Sequence, residues 1–175
     1  KEEYYKTKES VDEHIRLAKD INGSNLIEKL TQVLALNSNI LEISSSPGTD
    51  WKILNKFFAV TGSDNSSELL NLNAVSLNIN KKIDGIYSKK VLHQFNDKEL
   101  KESIKRQSEV LNIDGIICQS FWKGKDFEIF KGLHVNYHDV EELKDLFKDC
   151  FEILSIKSYQ EFEESDSILL IGKKK

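Results

Sequence analysis

Asn39-Ile-Leu-Glu-Ile-Ser-Ser-Ser-Pro-Gly-Thr-Asp50 is the stretch around which the rest of the chain is organised. Ile40 to Ile43 is a short apolar run, and it ends in small and polar residues that suit a tight turn ahead of a helix. The pattern returns at Ala59-Val-Thr-Gly-Ser-Asp-Asn65, where the run Phe57 to Thr61 ends in the same way. Both runs read as strands that feed one ligand-binding edge. Glu42 ends the first and Asp64, about twenty residues later, closes the second, the spacing that aims a carboxylate at a ribose in nucleotide-binding βαβ units. Ser44, Ser46 and Gly48 are small enough to let the backbone between strand and helix pass close to a bound group.

The neighbouring sequence alternates in type. On the N-terminal side, Asn22-Gly23-Ser24 reads as a turn with an N-cap, and Leu26, Ile27, Leu30, Val33 and Leu34 recur at helical spacing. Asp50 to Lys56 reads as a helix whose first N–H groups point back at the Ser44 to Thr49 turn. Leu72 to Leu77 and Ile83 to Ser88 read as strands, and Asn96-Asp97-Lys98-Glu99 starts a helix through Leu111 with Leu100, Ile104 and Val110 inward. After a turn at Asn112 to Gly115, Ile116 to Trp122 is an apolar strand ending in aromatics. Lys123 to Val135 reads as an irregular excursion, and Asn136 to Asp139 leads into a helix burying Val140, Leu143 and Leu146. Phe151 to Ile156 and Ser167 to Ile171 form an expected antiparallel hairpin, separated by a solvated acidic connector, Gln160 to Asp166. Strands alternating with helices imply an α/β sandwich.

Composition limits the function classes. The 175 residues fit one domain with a sizeable core. A net charge of −4, with lysines and glutamates interspersed, leaves no electrostatic footprint for nucleic acid or for a membrane surface. No apolar run approaches the roughly 20 residues of a membrane span, and the first residues are charged, so the expected location is cytoplasmic. Cys118 and Cys150 sit in apolar contexts without metal-type spacing and are expected as buried thiols. The sequence holds no methionine, and only about seven residues separate Asp64 from Leu72, fewer than the 10 to 12 of a minimal parallel crossover. Residues are therefore expected to be missing near Glu68 to Asn71, in a part of a longer protein.

The segment Glu42-Ile-Ser-Ser-Ser-Pro-Gly-Thr-Asp50, with Gly62-Ser-Asp-Asn-Ser66 at the correct distance, resembles the class I S-adenosylmethionine-dependent methyltransferases, and within them the type 11-like small-molecule group. A third segment strengthens the resemblance: Ile83-Asp-Gly-Ile-Tyr-Ser88 followed by Lys89-Lys-Val-Leu-His93, an Asp-containing strand ending in a polar residue and a Val-Leu-His run. The resemblance extends over nearly the whole chain. It implies a Rossmann-like three-layer sandwich around a seven-stranded, mostly parallel sheet with a reversed final strand, in a single domain over residues 1–175.

It also implies roles for particular residues. Glu42 and the Ser44, Ser46 and Gly48 loop would lie against the methionine part of the cofactor, S-adenosyl-L-methionine. Asp64 would hold the ribose hydroxyls with Asn65 beside the adenine; Asn73 and Ala74 would meet the adenine edge, and Ser88 and Leu92 would line the methionine end. Residues 1–20 would form a lid helix in which Tyr4 and Tyr5 close the site; the alternative is a surface helix that uses its tyrosines for packing. His93 is the candidate base by side-chain type, since histidine titrates near neutrality; the alternative is a structural residue fixing the strand-to-helix turn. Trp122 reads as acceptor wall or as core, and Tyr137 and His138, with His134, as acceptor-facing groups or a polar surface loop. The expected activity is methylation of a small molecule, with no nucleic acid or membrane partner. A non-catalytic, cofactor-binding regulatory module is the alternative, because serines 44 and 46 stand where the family has glycine. A nicotinamide oxidoreductase is disfavoured because Ser-Ser-Ser-Pro-Gly lacks the three-glycine fingerprint.

Overall fold

Strands β1 (Asn39–Ile43) and β3 (Ile83–Lys89) are nearly continuous runs of buried residues, the pattern of strands covered on both faces. They lie side by side in the computed structural model, which describes residues 23–43, 49–62, 77, 79, 81–130 and 133–175. Among the described residues the main sheet has six strands in the order β2 (Ala59–Gly62), β1, β3, β4 (Leu111–Trp122), β8 (Ser167–Lys174), β7 (Phe151–Tyr159). The strands β2, β1, β3 and β4 run parallel to one another, and β8 runs antiparallel to both β4 and β7. The further strand expected at Leu72 to Leu77, and the short crossover before it, lie outside the described residues apart from Leu77, which is fully buried.

Parallel neighbours need a crossover on one face of the sheet, and the helices divide accordingly. On one face lie α1 (Ser24–Thr31) and α2 (Thr49–Leu54), whose Leu26, Ile27, Leu30 and Leu54 pack with Ile40, Tyr87 and Cys118. The opposite face carries α3 (Asp97–Val110) and α4 (Val140–Phe147), with Leu100, Ile104, Leu143 and Phe147 against Leu41, Ile86, Ile117 and Phe121. These side chains are almost wholly buried, each stabilising the fold by about 1.5–3 kcal/mol relative to exposure. The result is the expected α/β sandwich.

The helix starts follow from local chemistry. Asn96 accepts from the Glu99 N–H at 2.8 Å, and the Glu99 carboxylate accepts from the Asn96 N–H at 3.2 Å, a capping box that satisfies two donors. Asp139 caps α4 through the Glu142 N–H at 2.8 Å. The start of α1 differs from expectation: its N-cap is Gly23, without a side-chain cap, and the helix ends at Thr31, which leaves Val33 41% exposed.

One other segment departs from the sequence reading, and a second keeps its expected turn inside a longer strand. Lys123 to Val135 is not irregular: Phe127–Phe130 (β5) and Leu133–Asn136 (β6) pair antiparallel as a separate hairpin, too short for a four-residue alternation to stand out among lysines and aspartates. Asn112 to Gly115 falls within the bounds of β4, but pairing with β3 passes from Leu111 opposite Ile83 to Ile116 opposite Gly85. The four residues therefore loop out, with Asp114 at φ 65°. Cys118 is buried, whereas Cys150 is only half-buried. No helix among the described residues is long and apolar enough to cross a membrane.

Candidate functional site

Four parallel strands bring their C-terminal ends to one edge, the usual ligand side of such a sheet. Register fixes what stands there. Glu42 lies opposite Gly62 on one side and Tyr87 on the other, Ile43 opposite Ser88, and Ser88 opposite Gln119. Because β8 is antiparallel, its first residue, Ser167, and the last of β7, Tyr159, join the same edge beside Trp122.

On the α1/α2 face, Glu42 is a carboxylate only 4% exposed, next to the buried Tyr87. The Tyr87 hydroxyl donates to Asp50 Oδ2 at 2.8 Å, and the Gly23 N–H donates to Asp50 Oδ1 at 2.7 Å. Burial, and then the Asp50 carboxylate, hold the Tyr87 phenol well above its usual range, so it acts as a donor. One side chain in the first turn of α2 thus ties α2 to β3 and to the start of α1. Gly23 permits this by close approach: a Cβ there would stand 1.9 Å from the Tyr87 hydroxyl.

The opposite face is polar where the edge begins. Gln119 donates through Nε2 to Gln107 Oε1, and Gln107 Nε2 donates to Ser103 Oγ at 3.1 Å, a relay of buried amides between β4 and α3. Beside Gln119, the Ser88 hydroxyl is 1% exposed and has no hydrogen-bond partner among the described residues. A buried polar atom in that condition costs free energy unless a further group meets it. Leu92 and His93 follow in a 3₁₀ turn (Leu92–Gln94), both buried. Asn136 Nδ2 donates to the carbonyls of His93 at 3.2 Å and Phe95 at 2.6 Å, docking the β5–β6 hairpin on that turn.

The rim beyond β3 and β4 holds a cluster that sequence reasoning missed. Lys90, at φ 55°, turns its ammonium inward to Glu161 at 2.6 Å, Ser167 Oγ at 2.8 Å and the Trp122 ring at 3.2 Å from its centroid. Lys89 reaches the other Glu161 oxygen at 2.9 Å. Burial pushes the Lys90 pKa down to about 8, although Glu161 pulls it upward. Gln160 and Phe162 to Ser165 are exposed, as expected of a solvated connector, but Glu161 departs from it, with a side chain only 5% exposed. The cause is local. Asp166 accepts N–H groups from Glu161, Phe162 and Glu163 at 2.9–3.0 Å, which folds the connector back on itself. Burial raises the Asp166 pKa, but the N–H donors outweigh it and hold the carboxyl at about 2.

The remaining sequence candidates sort by place. Glu42, Ser88, Leu92 and His93 converge at or behind the edge, and Trp122 stands on its rim, half-buried. Tyr137 donates to Glu128 at 2.7 Å on the hairpin, and burial, with that carboxylate, pushes its pKa up to about 12. His138 is 1% exposed, edge-on to Phe121, with Nε2 3.5 Å from Asp97; burial pushes its pKa down. It is therefore packed into the α3/α4 side, not part of a surface loop. Tyr4, Tyr5, Ser44, Ser46, Gly48, Asp64, Asn65, Asn73, Ala74 and His134 lie outside the residues or side chains described. No group of three or more metal-ligating side chains occurs among the described residues.

No family model matches the sequence, and no curated protein matches it significantly. Solved structures do match by fold. The chain is similar to the 1,6-didemethyltoxoflavin-N1-methyltransferase of Burkholderia thailandensis, crystallised with 1,6-didemethyltoxoflavin and S-adenosylhomocysteine, at TM-score 0.78 and 13% identity over 95% of this chain and 84% of that one. It is also similar to an S-adenosylmethionine-dependent methyltransferase from Clostridium acetobutylicum, at TM-score 0.71 and 14% identity over 91% and 95% of the two chains. The N-methyltransferase NodS of Bradyrhizobium japonicum, in complex with S-adenosylhomocysteine, matches at TM-score 0.67 and 15% identity over 95% and 97%. The architecture is that of the class I S-adenosylmethionine-dependent methyltransferases.

Proposed function

We propose that the chain transfers a methyl group from S-adenosylmethionine to a small-molecule acceptor. The observation that carries this reading is the edge itself: a buried carboxylate, Glu42, near the tip of β1, and, near the tip of β3 beside Ile43, the buried Ser88 hydroxyl, without a partner among the described residues. These groups suit a ligand that presents both hydrogen-bond donors and acceptors, as the methionine end of the cofactor does. The fold supports the same reading, being shared over 95% of the chain with a methyltransferase crystallised with S-adenosylhomocysteine.

When bound, S-adenosylmethionine supplies a methyl group on a sulfonium, and an acceptor lone pair takes it in line as the carbon–sulfur electrons return to sulfur. The chain contributes orientation and exclusion of water, which together reach about 7–11 kcal/mol when two reactants are held in attack geometry. Glu42, Ser88 and Leu92 would hold the methionine end, with Ser44, Ser46 and Gly48 proposed beside it from their sequence positions, and the Asp50–Tyr87 clamp fixes α2. Asp64 and Asn65 take the ribose and adenine, and Asn73 and Ala74 the adenine edge, as their sequence positions propose. His93 is the base proposed for an acceptor that arrives protonated, a contribution of about 10²–10⁴-fold.

The test is incubation with methyl-labelled S-adenosylmethionine and a broad acceptor panel, beside an Asp64→Ala variant. Label transfer to at least one acceptor is expected. The variant should lose roughly 1.5–3 kcal/mol of cofactor affinity, the worth of hydrogen bonds to a charged acceptor, with the fold intact. Cofactor binding without transfer to any acceptor would favour the non-catalytic module. Unchanged affinity in the variant would mean that the ribose site is misplaced.

A further inference from the structure

Phe162 is 48% exposed, yet its ring lies almost flat on Trp122, with centroids 5.9 Å apart and planes at 23°. It belongs to none of the apolar clusters that fill the two faces of the sheet. What puts it there is polar chemistry in the connector: the Asp166 turn and the pairing of Glu161 with Lys89 and Lys90. The indole itself is anchored, because Trp122 packs on Val135 and carries the Lys90 ammonium. A fixed aromatic face on the C-terminal edge is therefore covered by a ring that little burial holds in place. Offset stacking is the geometry that aromatic rings prefer, and the indole already displays it with Phe162.

We propose that Trp122 is the stacking platform for a flat aromatic methyl acceptor, and that Phe162 occupies the acceptor's place until one arrives. The inference rests on the methyltransferase reading above and names the substrate class of that site. Lys89 and Lys90 stand beside the platform with Glu161 as the one carboxylate they share, and this net positive rim favours an acceptor whose ring edge carries oxo or acid groups. The site selects by flatness through Trp122 and by charge through the two lysines.

The experiment uses Trp51→Phe, in which Trp122 supplies the sole indole N–H resonance. Quinaldate, a flat aromatic acid, is titrated in the presence of S-adenosylhomocysteine, with its fully hydrogenated counterpart as the control. Quinaldate is expected to shift the indole resonance saturably through its ring current, the hydrogenated acid is not, and adding Phe162→Ala should tighten quinaldate binding by about two- to tenfold by removing the competing ring. Absence of a saturable shift, equal affinity with and without Phe162, or equal binding of the saturated acid would each overturn the proposal. Calorimetry with S-adenosylhomocysteine on the same samples separates the two readings. Its binding without quinaldate overturns the platform alone; saturable quinaldate binding without it supports the platform and counts against methyl transfer.

Discussion

Replacing Tyr87 by Phe keeps the buried ring and removes one hydroxyl, so it isolates the bond to Asp50 at 2.8 Å. Hydrogen bonds to charged groups contribute about 1.5–3 kcal/mol. Asp50 is half-buried, so water can reach the oxygen left behind, and the expected loss lies at the lower end, about 1.5–2 kcal/mol. For a chain of this size that corresponds to a fall in Tm of about 3–8 °C. The assay is urea unfolding of the wild type, Tyr87→Phe, Asp50→Ala and the double variant, read as a double-mutant cycle. A coupling energy of about 1.5 kcal/mol is expected, with unchanged urea dependence. Because Asp50 opens α2, the single variants should also weaken S-adenosylhomocysteine binding. Gly23→Ala must disturb the same clamp, since its Cβ would stand 2.6 Å from Asp50 Oδ2. A coupling energy below about 0.5 kcal/mol, the error of independent sites, would refute the reasoning.

Lys90 makes stability depend on pH. Burial holds its pKa at about 8 against an ordinary 10.5, so between those values the unfolded chain carries a proton that the folded chain lacks. Stability should then rise with pH across that window by up to roughly 3 kcal/mol, at about 1.36 kcal/mol per pH unit, and Lys90→Met should abolish the rise. Equal pH dependence of urea unfolding in the two proteins would contradict this. Asn96→Ala removes half of the capping box and should cost about 1 kcal/mol in the same assay, whereas Asn96→Asp should cost little. Asn136→Ala frees the hairpin from the Leu92–Gln94 turn and should speed proteolysis within the hairpin while leaving the main sheet protected; uniform protection would count against that docking.

The strands were legible because burial on two faces writes itself as unbroken apolar runs, as at Ile40 to Ile43 and Ile116 to Trp122. The start of α3 was legible because a capping box spans only four residues. What stayed hidden needed contacts between distant positions. Asp50 and Tyr87 are separated by 37 residues, and Lys90 and Glu161 by 71, so neither pairing leaves a local pattern. The inward turn of Glu161 stayed hidden because charge density along a sequence does not reveal that one aspartate gathers three N–H groups and folds a neighbouring glutamate inward. His138 was ambiguous for a similar reason: a histidine in a polar tetrapeptide becomes buried only because Phe121 arrives from another strand.

Calorimetric titration of the purified protein with S-adenosylmethionine, S-adenosylhomocysteine and NAD in parallel tests the central claim most directly. Micromolar binding of both sulfur nucleosides, with none of NAD, is the result predicted by an edge built from Glu42 and Ser88. Failure of both to bind, or binding of NAD alone, would contradict it.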